Sequence, residues 1–279
     1  MLIFDKIESL QLFLKKSKGK TIGFVPTMGA LHEGHLSLIQ ASKEKTDITI
    51  CSVFVNPAQF NKVEDLEKYP RNIEKDVGML EQKGCDLLFF PTVDEMYPVP
   101  PTKQYDFGDL GVVMEGKHRP GHFNGVGLVI ERFFEIIHPD YAFFGEKDFQ
   151  QLAVIRELVR QLNSSTVIVG CPIYREKSGL AMSSRNERLS EKEKEDAQAI
   201  FKALEHVKKK STNSTIAELK QYFFNTLNQY QNFEVEYFSV ADGNTLQPIT
   251  NWGESDYCVA FTAVNVGSVR LIDNMTIFS

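Results

Sequence analysis

Two imidazoles three residues apart, His32 and His35, stand in the run Pro26-Thr27-Met28-Gly29-Ala30-Leu31-His32-Glu33-Gly34-His35, directly after the apolar residues 22–25. Residues 36–41 continue with helical spacing, so both rings belong to a helix start and to one face of it. Unpaired N–H groups and the dipole at such an end attract anions, and an imidazole N–H adds a donor. Gly29 and Gly34 let the backbone approach a ligand closely. The chemistry this suits is phosphate binding. A zinc-protease helix requires H-E-x-x-H, and His32-Glu33-Gly34-His35 is one residue short of it. Paired histidines at a helix start also occur as solvated or core-packed side chains, so partners elsewhere must carry the phosphate reading.

Three further clusters supply candidates. Residues 48–55 form a β-branched run that leads into Asn56-Pro57-Ala58-Gln59-Phe60, and residues 141–144 lead into Gly145-Glu146-Lys147-Asp148. A lysine just past a buried strand suits a phosphate, the alternative being a surface ion pair with Glu146 or Asp148. Gly179-Leu180-Ala181-Met182-Ser183-Ser184-Arg185-Asn186 joins two hydroxyl donors to a guanidinium that can grip phosphate bidentately. Its alternative is a capped turn, with Ser190 capping the next helix and Arg185 paired to a surface carboxylate.

The elements that must position these clusters alternate. Residues 65–83 read as helix, 86–90 as strand, 125–137 and 150–162 as helices, and 166–169 as strand, with a loop holding Pro98, Pro100 and Pro101. This order predicts an α/β fold with a parallel sheet covered on both faces, its ligand beyond the carboxyl ends of the strands. The histidine turn, the 56–60 cluster and the 145–148 cluster all follow strands, so they converge on that edge. Past residue 174, helices over 190–209 and 216–230 precede alternating segments at 233–241, 257–264 and 269–272. These predict a small α+β domain, with domains 1–173 and 174–279. Lys208 to Lys210 reads as a solvated helix end.

Bulk properties narrow the classes. The 279 residues are 42% hydrophobic and 24% charged with a net charge of −6, which argues against a general nucleic-acid binder. An anionic substrate then needs a local positive patch. The four cysteines are scattered without a C-x-x-C pair, which fits a reducing cytoplasm. No apolar run approaches the ~20 residues of a membrane span, and the N-terminal residues, interrupted by Asp5 and Glu8, read as an amphipathic helix rather than a signal peptide.

The blocks PTMGALHEGH, FVNPAQF, YPR, RPGHFNGV, GEKDFQQL and GLAMSSRN, in this order and spacing, resemble the pantoate–β-alanine ligase (pantothenate synthetase) family, of the HxGH nucleotidyltransferase superfamily, over essentially the full length. The resemblance implies that ATP, pantoate and β-alanine give pantothenate, AMP and pyrophosphate, with Mg²⁺ required. It implies a Rossmann-like nucleotidyltransferase domain, a C-terminal α+β lid domain and a homodimer. Carried over by motif, Met28, Gly29, Ala30, Leu31, His32, Glu33, Gly34, His35, Gly145, Glu146, Lys147, Asp148, Met182, Ser183, Ser184 and Arg185 surround ATP, and Tyr174 meets the adenine through its backbone. Gln59 and Gln151 hold pantoate, with Gln59 also near β-alanine, and Pro26, Met28, Asn56 and Tyr69 complete the substrate set.

The chemistry is consistent with those roles. The pantoate carboxylate attacks the α-phosphorus in line, and His32, His35, Lys147, Ser183, Ser184 and Arg185 are donors for the charge that grows there. A neutral amide matches hydroxyls and a carboxylate without neutralising the nucleophile, which suits Gln59 and Gln151. Shielding the adenylate from water fits a lid and a mobile segment around residues 62–69. Asp76 is a candidate Mg²⁺ contact, with an exposed helical salt bridge as the alternative; Lys75 stands where family members commonly have an acid. Tyr174 replaces a smaller apolar residue and Ser178 an Asp. Arg119 and His122 are assigned to packing or dimer contacts. The alternatives are another HxGH nucleotidyltransferase acting on a different small acid or phosphate, and a non-catalytic nucleotide-binding module. A tRNA-charging fragment conflicts with the acidic composition.

Overall fold

The computed structural model describes residues 1–60, 63–67 and 69–279; Asn61, Lys62 and Lys68 lie outside the described residues, and with them part of the expected mobile segment. The chain divides into two compact units, residues 1–146 with 150–172, and residues 147–149 with 173–279. Residues 147–149 and Ile173, placed with the first domain on sequence, thus group with the second unit.

The first unit is built on β1 (Leu2–Phe4), β2 (Ile22–Thr27), β3 (Ile48–Val53), β4 (Leu87–Phe89), β5 (Tyr141–Gly145) and β6 (Val167–Cys171), ordered β1-β4-β3-β2-β5-β6. Every pairing is parallel. All six residues of β3 are buried, as a strand covered on both faces requires. The helices of this unit are α1 (Ile7–Lys16), α2 (Glu33–Lys45), α3 (Val63–Glu67), α4 (Ile73–Gln82), α5 (Val93–Met96), α6 (Met114–His118), α7 (His122–Ile137) and α8 (Phe149–Gln161). This is the Rossmann-like α/β arrangement. The order of strands reverses direction between β2 and β5, which is where such sheets open a crevice.

Differences from the sequence reading have local causes. The single helix expected over 65–83 is two: Pro70 cannot continue a helix, and Asn72 starts α4 afresh by accepting the Lys75 N–H at 3.0 Å. The N-terminal residues, read on sequence as one amphipathic helix, begin instead with strand β1 before helix α1, because three residues carry too little period to detect a strand.

In the second unit α9 (Glu191–Lys210) and α10 (Ile216–Leu227) accompany the antiparallel sheet β7 (Phe233–Asp242), β8 (Cys258–Val266) and β9 (Val269–Phe278). Ser190 does cap α9, in a full capping box with Glu193, and Thr215 with Glu218 does the same for α10. A core of aliphatic and aromatic side chains from both helices and all three strands, among them Leu204, Phe223, Phe238 and Val264, fills the unit.

Two glycines separate backbone need from accident. A Cβ on Gly125 in α7 would lie 2.2 Å from the Ala58 carbonyl oxygen, whereas one on Gly78 in α4 meets nothing within 4 Å. Gly125→Ala should therefore destabilise the protein by about 1–3 kcal/mol through overpacking. Gly78→Ala should stabilise it by up to about 1 kcal/mol through helix propensity. Denaturant midpoints of the two variants, shifted in opposite directions, check this.

Candidate active site

The turn after β2 has a constrained backbone. Gly29 and Ala30 both have positive φ, +79° and +50°, and for alanine that region is strained. The cost is offset by Asp76, delivered by α4. Its Oδ2 accepts the Ala30 N–H at 3.0 Å and its Oδ1 the Leu31 N–H at 2.8 Å. A Cβ on Gly29 would meet Asp76 Oδ2 at 2.9 Å and Val53 at 3.0 Å, so only glycine fits there. Thr27 completes the turn, donating to Ser52 O and accepting from Gly29 N.

Asp76 is 1% exposed, so it is not the exposed helical salt bridge that its place in the sequence allows. Both of its carboxylate oxygens accept from turn amides, which gives the side chain a structural use beside the candidate Mg²⁺ contact. Among the described residues no group of three or more His, Cys, Asp or Glu is arranged to hold a metal ion.

The turn delivers the two imidazoles. His32 is the N-cap of α2 and its Nδ1 accepts the Gly34 N–H at 3.1 Å. In the neutral ring the proton is then on Nε2, which is a donor. The His35 ring lies 4.0 Å from that of His32, centre to centre and tilted by 37°. Glu33 opens α2 and pairs loosely with Lys83 at 3.7 Å.

The 56–60 cluster faces the same turn. Gln59, 8% exposed, places Nε2 2.8 Å from Met28 Sδ, and its Oε1 accepts from Asn56 Nδ2 at 3.2 Å. Asn56 also donates to Gly125 O and accepts from the Tyr97 hydroxyl. Tyr69 packs edge-on against Phe60 at 5.9 Å. The packing assigned to His122 and Arg119 has a definite form: Arg119 Nη1 donates to His122 Nε2 at 3.2 Å, and His122 Nδ1–H donates to Gln59 O at 2.9 Å. His122 thus holds the backbone of Gln59, a role with no signal in the sequence beyond its place in RPGHFNGV.

Pairing between β2 and β5 is limited to Gly23 with Tyr141 and Phe24 with Ala142, although β2 follows β3 as far as Thr27 with Val53. Beyond Phe24 the two central strands part. Pro26 sits in the parted stretch, where its missing N–H breaks no pairing to β5. Gly145 ends β5 opposite Cys171 of β6, and Glu146–Asp148 follow as a tight turn. Gln151 lies half-buried in the first turns of α8.

In the second unit Lys147 has its side chain 16% exposed and its Nζ 3.7 Å from Asp148 Oδ1. Ser183 caps the short turn Ser184–Arg188, its Oγ accepting the Arg185 N–H at 3.3 Å, which leaves its hydroxyl proton able to donate. Arg185 is exposed. Tyr174 O accepts the Met182 N–H at 3.0 Å, tying Tyr174 to the Met182–Arg185 segment. Asn186, 5% exposed, donates to Glu176 and to Ala181 O and braces the same segment.

The four cysteines are buried. Burial pushes their thiols up, Cys85 and Cys171 to about 11 and Cys51 and Cys258 also above the ordinary range. None presents a thiolate nucleophile near neutral pH.

A parallel sheet with an opened switch point, carrying donors on the turn beyond it, defines an α/β protein built to bind an anionic ligand. Comparison with known proteins narrows the class. The family model described as pantoate-beta-alanine ligase matches residues 2–276. Pantothenate synthetase of Porphyromonas gingivalis W83 is 48% identical over 277 residues, 99% of both chains, and that of Azobacteroides pseudotrichonymphae is 50% identical over 279 residues, 99% of this chain and 100% of its own. The crystal structure of pantothenate synthetase from Thermus thermophilus superposes with a TM-score of 0.94 at 37% identity, covering 100% of each chain. Pantoate-beta-alanine ligase from Francisella tularensis, complexed with beta-gamma ATP and beta-alanine, matches with a TM-score of 0.82 at 35% identity over 99% of this chain and 98% of its own. The chain belongs to the pantoate–beta-alanine ligase family.

If the turn depends on Asp76, Asp76→Ala strands the two amides it satisfies, at about 1–3 kcal/mol for each buried donor left unpaired. Urea unfolding should show a loss of at least about 2 kcal/mol, with Asp76→Asn intermediate. Melting curves of the wild-type protein in EDTA and in Mg²⁺ without nucleotide should superimpose; a Mg²⁺-dependent rise abolished by Asp76→Asn would make Asp76 a ligand instead.

Proposed function

We propose that this chain condenses pantoate with β-alanine using ATP, giving pantothenate, AMP and pyrophosphate by way of a pantoyl-adenylate. The observation that carries the reading is the turn after β2, with its two histidines beside the parted ends of β2 and β5, in a chain of this family. In the first step a pantoate carboxylate oxygen bonds to the α-phosphorus of ATP while the bond to the β-phosphate oxygen breaks and pyrophosphate leaves. In the second the β-alanine amine attacks the acyl carbonyl, the bond to AMP breaks, and the amine proton is lost to solvent. No covalent enzyme nucleophile is needed, in keeping with the raised thiols.

His32 Nε2–H and His35 are assigned to the phosphoryl oxygens, where negative charge grows in the first step. Lys147, Ser183, Ser184 and Arg185 are assigned to ATP as well, and the backbone of Tyr174 to the adenine. Met28, Gln59 and Asn56, already assembled in one hydrogen-bonded group, are assigned to pantoate with Gln151, Pro26 and Tyr69. Because Gln59 and Gln151 are neutral, they orient the carboxylate without quenching it, and Asn56 orients the Gln59 amide. Mg²⁺ belongs to the substrate, entering with the triphosphate and its own water. The chain is read as a cytoplasmic homodimer. Another HxGH nucleotidyltransferase would have no use for the amide group around Met28.

ATP and pantoate alone should support exchange of labelled pyrophosphate into ATP, without β-alanine. Exchange that strictly required β-alanine would replace the two-step route with a concerted one. His35→Ala should lower kcat by about 10²- to 10³-fold, the cost of one preorganised donor to a developing charge, with its melting curve intact. Near-full activity in that variant would remove His35 from the chemistry.

A further inference from the structure

One guanidinium in the second unit serves three residues on two separate segments. Arg175 Nη1 donates to Asp273 Oδ2 at 2.7 Å and to Gly179 O at 3.0 Å, and Nη2 donates to Asp273 Oδ1 at 2.9 Å and to Asn274 O at 3.1 Å. Its Cζ lies 4.6 Å from the centre of the Phe201 ring. Asp273 and Asn274 are each 5% exposed, side by side in β9. A bidentate pair at such depth is costly to desolvate and strongly directional. Apolar groups of the same volume often stabilise a fold as well as a buried ion pair does, so such a pair is weak evidence of a purely stabilising role.

What the pair touches gives it a use. On one side the guanidinium holds Gly179 O, while the backbone of Arg175 pairs with Ala181 and that of Tyr174 accepts from Met182 N, so the residue is tied through side chain and main chain to the segment that runs into Ser183–Arg185. On the other side Asn274 donates through its backbone N–H to Asp273 Oδ1 at 2.8 Å and through Nδ2 to the Lys147 carbonyl at 2.9 Å. Burial pushes the Asp273 carboxyl up, while Arg175 and, more weakly, the Lys147 ammonium draw it down. Lys147 and Met182–Arg185, far apart in the chain, are therefore tied to adjacent residues of one strand.

We propose that Arg175, Asp273 and Asn274 are positioning residues for nucleotide: they hold the Lys147 backbone and the Ser183–Arg185 turn in one fixed register, so that the cations and hydroxyls meet the phosphates preorganised. The proposal rests on the assignment of Lys147 and Ser183–Arg185 to ATP. A misplacement of about 1 Å in such groups can cost on the order of 10²-fold.

Asn274→Ala removes the bond to Lys147 and leaves the ion pair; Arg175→Lys keeps the charge and loses the fork. ATP affinity by titration calorimetry, and KM for ATP and for β-alanine, would be measured on both in the full-length protein, beside Lys147→Ala. The expected result is that both variants bind ATP about 10-fold or more weakly while KM for β-alanine stays within about two-fold. Should Arg175→Lys not fold, Asn274→Ala carries the test. Wild-type ATP affinity in Asn274→Ala, when Lys147→Ala is impaired, overturns the positioning role. An equal fall in affinity for every substrate also overturns it, since that marks general loosening. Unchanged ATP binding in Lys147→Ala overturns the ATP assignment itself.

Discussion

The carboxylate of Asp76 is the constraint on which the first unit's chemistry turns. Two consecutive residues with positive φ, one of them alanine, do not persist at the end of a strand without something over-determining them. Asp76 does this from beneath, satisfying two amides at once while leaving the outer face of the turn to the imidazoles. Asp76 also helps to restrict position 29 to glycine, and the turn it holds leads directly into His32, the N-cap of α2, with the His35 ring tilted beside it.

The second constraint is topological. A parallel sheet whose connections reverse direction at β2 and β5 leaves no helix over the gap at the carboxyl ends, and here the strands also separate after a short shared stretch. Pro26 falls in the separated stretch, where its missing N–H breaks no pairing to β5. Around that exit many hydrogen bonds converge on few side chains: Tyr97, Asn56, Gln59 and Met28 form a chain from core to turn, and Arg119 and His122 hold Gln59 by its carbonyl. Gly125 is small because the backbone carrying Gln59 passes against it.

The second unit is organised by other means. Its helices are started by capping boxes and its sheet by ordinary alternation, and neither asks for a buried charge. The buried Arg175–Asp273 pair is the exception, and it lies where segments distant in sequence have to agree on a geometry.

The sequence by itself determined the class of fold and the family. Strand and helix periods are local, so the order of elements in the parallel sheet, the α+β character of the second unit and the cap at Ser190 could be read or inferred from neighbouring residues. The motif blocks likewise named the histidines, glutamines and cations. What only the tertiary structure decided is how those residues are held. Asp76 reads on sequence as a candidate Mg²⁺ contact or an exposed helical salt bridge; the second is overturned, since the side chain is a buried clamp whose partners lie some forty-five residues earlier. The break at Pro70, with the fresh start at Asn72, turns one expected helix into two. His122, Asp273 and Asn274 carry no signal of the bonds they make, because a hydrogen bond between elements far apart in the chain leaves no period to detect. Which buried polar group satisfies which distant amide is settled by packing, and packing is a property of the folded chain alone.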